Sequence, residues 1–191
     1  ELFTTAPRAL ATVATPVRAK IMNRSRNLRF LVVGDWGRDG TQNQDKVANW
    51  MAHEAVTNGC DFVASTGDNF YTFGVSSVDD SKWTTSYENV YPDCLRALPW
   101  FPVAGNHDWG GSIWAQLDRT GRGCWHMPWL FYNICGSRFG RPDVDLFFID
   151  TVLWEGREGW LKHCGQSLEQ KDIEEQKIWH ESALRDSKAA I

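Results

Sequence analysis

At 191 residues the chain is long enough for one domain with its own core, or for part of a larger one. Its 42% apolar and 23% charged residues are ordinary for a globular protein, apart from eleven tryptophans, and the net charge of −4 argues against nucleic acid as the main partner. No apolar run approaches the roughly 20 residues that cross a bilayer, which argues against an integral membrane protein.

The first 29 residues stand apart. They carry Arg8, Arg18, Lys20, Arg24, Arg26 and Arg29 against a single acid, Glu1, with Thr, Ala and Ser between and Pro7 and Pro16 as helix breakers. An Arg-rich, hydroxyl-rich, acid-poor start has the composition of an organelle transit peptide, and equally of an extended arm lying on the protein or a neighbour. We therefore divide the chain into a basic arm, 1–27, and a domain portion, 28–191. The five cysteines (Cys60, Cys94, Cys124, Cys135, Cys164) lack C-x-x-C spacing, which removes zinc-ribbon and thioredoxin-like readings and leaves disulfides or free thiols open.

From Leu28 the pattern is α/β. A strand over Phe30–Val33 ends at Gly34, and a polar loop leads into a helix from Gln44 to Thr57, in which Val47, Trp50, Met51 and Ala55 have helical spacing. Asn58-Gly59 stops it. A second strand, Phe62–Ser65, follows at a distance suited to a parallel crossover. The spacing of Trp83, Tyr87 and Tyr91 predicts a helix over 79–91, and a third strand is predicted over Trp100–Ala104. Beyond it we expect a short helix over 112–117, two strands over 130–135 and 145–150 joined by a turn over 136–142, and a final helix over 168–188.

Each of the first three strands runs into a glycine and then into oxygen donors: Gly34-Asp35-Trp36-Gly37, Gly67-Asp68-Asn69-Phe70-Tyr71 and Gly105-Asn106-His107-Asp108. In an open α/β sheet, ligands sit beyond the C-terminal strand ends. If the three strands lie side by side, Asp35, Asp68, Tyr71 and Asn106 converge there. Hard oxygen donors in that arrangement suit highly charged metal ions, and a carboxylate bridging two cations sets them for phosphoryl transfer. Taken singly, Asp35 reads equally well as a turn former and Asn106 as a helix cap.

These three blocks resemble the first three motif blocks of the purple acid phosphatases, calcineurin-like metallophosphoesterases, of the single-domain tartrate-resistant type. The resemblance runs from Leu28 to Lys188 and includes Pro99-Trp100, Ala115-Gln116, Trp125-His126-Met127-Pro128 and Phe148-Ile149-Asp150-Thr151. It implies an α/β/β/α sandwich of two mixed sheets, incomplete in this chain. It also implies hydrolysis of phosphate monoesters at a dinuclear centre of Fe(III) and a divalent iron, zinc or manganese. Asp35 would be a ferric ligand, Asp68 the bridging carboxylate, Tyr71 the coloured tyrosinate and Asn106 a ligand of the divalent ion. His107 would contact substrate and protonate the leaving group.

Trp109 stands where the family usually has another histidine. The family's later blocks, which supply three histidine ligands including a Gly-His-x-His pair, have no counterpart here. His53, His126, His163 and His180 read as surface or capping residues. The resemblance therefore implies the N-terminal portion of such an enzyme. The alternative is a catalytically inactive, phosphatase-like subunit of a larger, organellar assembly, with a protein partner covering the missing half of the sandwich. A diesterase or pyrophosphatase on the same centre is a third reading. Family resemblance points to a secreted or lysosomal protein, and the basic start to a plastid or mitochondrion.

Overall fold

The computed structural model describes residues 27–155 and 170–189. Three strands, β1 (Phe30–Val33), β2 (Phe62–Ser65) and β3 (Trp100–Pro102), form a parallel sheet in the order β1-β2-β3. Phe30 pairs with Phe62, and Val63 with Trp100. Sequence order equals spatial order, so the three strand ends and their loops lie side by side, as the site requires. Helix α1 (Gln44–Asn58) connects β1 to β2. A second, antiparallel sheet joins β4 (Tyr132–Cys135) to β5 (Asp145–Phe148) through a 3₁₀ turn, Gly136–Phe139. The result is the expected α/β class, with two sheets flanked by helices.

Alternation along the strands sends side chains to two faces. On one face lies the aromatic cluster that accounts for much of the tryptophan content. Trp36, Phe70, Trp83, Tyr87, Tyr91, Trp100 and Trp125 are all buried, with ring centroids 4.7–6.4 Å apart and mostly edge-to-face. On the other face Phe62 and Phe101 pack against Phe139 of the joining turn and Phe148 of the second sheet, and the Tyr132 hydroxyl donates to the Pro102 carbonyl at 2.8 Å. This second layer covers β2 and β3. Phe30 and Val32 of β1 remain 42% and 57% exposed.

Several elements differ from the sequence expectation. The segment expected as one helix over 79–91 is a π-helix, Trp83–Glu88, with Asn89 N–H bonded to Thr84 C=O, followed by α2 (Asp93–Arg96) after Pro92. The wide turn carries Trp83, Ser86 and Tyr87 inward together, and Pro92, lacking an N–H, restarts the chain. In α1 it is Gln44, Ala48 and Met51 that are buried, whereas Val47 and Trp50 face outward. Strands β3 and β5 stop two residues earlier than expected, because Ala104 and Asp150 already belong to turns that enter the short helices α3 (Asn106–Trp109) and α5 (Thr151–Glu155). Helix α4 spans Ile113–Asp118, with the Ser112 side chain accepting from Ala115 N–H. The last helix, α6 (Gln170–Asp186), packs Trp179 on Phe131 and Phe147. His163 and Cys164 lie outside the described residues. No described helix is long and apolar enough to cross a membrane.

Candidate functional site

Asp35 and Asp68 hold left-handed backbone, with φ of 60° and 50°, a conformation uncommon outside glycine and concentrated at functional turns. Gly67, at φ 105°, precedes Asp68 and lies so close to the third loop that an added Cβ would stand 2.8 Å from Gly105 N. Gly105 in turn has Asp68 Oδ1 only 2.2 Å from where its own Cβ would be. The glycines of the blocks thus let the second and third strand-end loops touch.

Beneath them runs a buried chain of polar groups. Trp36 Nε1 donates to Ser65 Oγ (2.8 Å), Ser65 Oγ to Asn69 Oδ1 (2.5 Å), and Asn69 Nδ2 to the Val103 carbonyl (2.8 Å) and Gln116 Oε1 (3.1 Å). Gln116 Nε2 reaches Asp108 Oδ1 at 2.8 Å. Asp108, fully buried, also accepts from the N–H groups of Asn69, Phe70 and Gly105. Burial raises its carboxyl to about 6, against the lowering effect of these bonds. Trp109 is buried too, its Nε1 donating to Asp150 Oδ2 at 2.8 Å. Asp150 further accepts from Val152 and Leu153 N–H, and Gln176 of α6 bonds both its N–H and its C=O. Trp109 therefore serves the core, tying the third loop to α5 and α6.

On this base Asp35, Asp68, Tyr71 and His107 come together. The Tyr71 hydroxyl lies 2.5 Å from Asp35 Oδ1 and 2.8 Å from Asp68 Oδ2, donating within a hydrogen-bonded trio. Asp68 Oδ1 accepts from His107 N–H at 3.0 Å. The His107 ring lies 4.4 Å from the Tyr71 ring, centroid to centroid, and its Nδ1 pairs with the Thr72 carbonyl at 2.6 Å, so Nδ1 carries the proton. Asn106 opens α3 between Gly105 and His107, on the loop that contacts Asp68. Arg38, which sequence reasoning missed, stacks its guanidinium 3.4 Å from the Tyr71 ring centroid. Desolvation, then the bonds to Asp35 and Asp68, push the Tyr71 phenol well above its ordinary value. The other described histidines lie elsewhere: His53 is exposed on α1, His126 packs on Phe101, and His180 on Phe147 and Trp154.

The resemblance implies an Fe(III)–M(II) pair at this place. Among the described residues no group of three or more His, Cys, Asp or Glu side chains is placed to hold a metal. The donor set that Asp35, Asp68 and Tyr71 bring together is oxygen alone, without the imidazoles that the resemblance implies for such a pair. The described residues by themselves therefore do not fit such a pair.

Residues 28–190 match the calcineurin-like phosphoesterases, and the chain belongs to that family. Purple acid phosphatase 4 of Arabidopsis thaliana is 38% identical over 153 residues, covering 79% of this chain and 43% of the relative. Tartrate-resistant acid phosphatase type 5 of Homo sapiens is 36% identical over 136 residues, covering 65% and 41%. Among solved structures, GAP50, the anchor in the inner membrane complex of Plasmodium, superposes with a TM-score of 0.56 at 30% identity, over 72% of this chain and 47% of that one. The chain thus spans less than half the length of these relatives.

Proposed function

We propose that this chain is part of a phosphatase-like structural subunit, a phosphoesterase fold that serves assembly instead of hydrolysis. The observation that carries the reading is the Tyr71 hydroxyl shared between Asp35 and Asp68 with Arg38 stacked above it. The Arg38 guanidinium over the Tyr71 ring supplies positive charge from the chain itself near the two carboxylates that Tyr71 bonds. The likeness to the anchor in the inner membrane complex of Plasmodium supports the same reading. The exposed Phe30, Val32 and Trp50 supply apolar surface for a partner or for further polypeptide to cover. The basic arm, 1–27, would supply an organellar address.

A second reading has its own support. Asp35, Asp68, Tyr71, Asn106 and His107 all stand on the strand-end loops, which favours a purple acid phosphatase whose remaining ligands come from polypeptide outside this chain. In that reading the full-length protein hydrolyses phosphate monoesters with iron and a second divalent metal.

Expression of the full-length polypeptide with iron supplied separates the two. The structural reading expects no stoichiometric iron, no visible tyrosinate band and no hydrolysis of p-nitrophenyl phosphate in acid. Bound iron, a colour lost in Tyr71→Phe and measurable turnover would overturn it in favour of the enzyme.

A further inference from the structure

We draw no further inference here: the strongest candidate, the open edge of β1 with the groove of about 290 Å³ between it and the C-terminal end of α1, carries nothing, because nothing in the structure shows what covers it.

Discussion

Asp108 and Asp150 are the residues on which the loops beneath the site depend. Asp108 accepts three backbone N–H groups and the Gln116 amide in full burial, so Asp108→Ala strands four donors at once. Loss of about 3–5 kcal/mol is expected, read by urea denaturation, with Asp108→Asn milder because its amide oxygen keeps part of the set. Asp150 makes a prediction in pH. Burial first, then the nearby Asp108 charge, raise its carboxyl to about 7, against the bonds from Trp109, Leu153 and Val152. A carboxyl whose folded value exceeds its unfolded value of about 3.9 favours the folded state only while protonated. Its contribution is full below about pH 4 and is lost as pH rises through about 7. The stability difference between wild type and Asp150→Asn should accordingly change across that window in favour of the variant at higher pH. A difference that stays constant from pH 4 to pH 8 would refute the assignment of that titration to Asp150.

At the scale of elements, the contact between the second and third loops is the sensitive point. An added methyl at Gly105 meets the Asp68 carboxylate and the Asp68 backbone N, at 2.2 and 2.3 Å, and the backbone atom cannot swing aside as a flexible side chain would. Gly105→Ala should cost about 1–3 kcal/mol in thermal denaturation, as an overpacked substitution does. The same loops show what the sequence could disclose. Glycine followed by oxygen donors after each apolar run was legible, because strand ends and turn residues are local signals; parallel neighbours then bring Asp35, Asp68 and Tyr71 together. Arg38 was not legible, since its stacking on Tyr71 depends on how two distant loops fold back on each other. Nor was the buried role of Asp108, Asp150 and Trp109, whose partners lie up to 41 residues away in sequence. Helical spacing located α1 but not its inward face: Trp50 is 69% exposed while Ala48 and Gln44 are buried. The π-helix was missed because Trp83 and Tyr87, four residues apart, fit an α-helix equally well.

For the whole molecule, the uneven coverage of the parallel sheet has a measurable consequence. Phe139 and Phe148 cap β2 and β3, but on the same face β1 presents Phe30 stacked on Phe62 at 4.8 Å and Val32 more than half exposed. Among the described residues β1 pairs with β2 on one side only, so its outer edge also offers backbone groups for pairing. An apolar edge strand of this kind drives association between copies when nothing else covers it. The 191-residue chain should therefore sediment as concentration-dependent oligomers. Val32→Lys should shift it toward monomer, with a stability change within about 0.5 kcal/mol because the site is on the surface. Val33→Lys, one residue along and buried, should instead unfold the sheet, because alternation turns it to the aromatic core. If Val32→Lys leaves the sedimentation profile unchanged while the chain still associates, β1 is not the interface and another surface is the site of association.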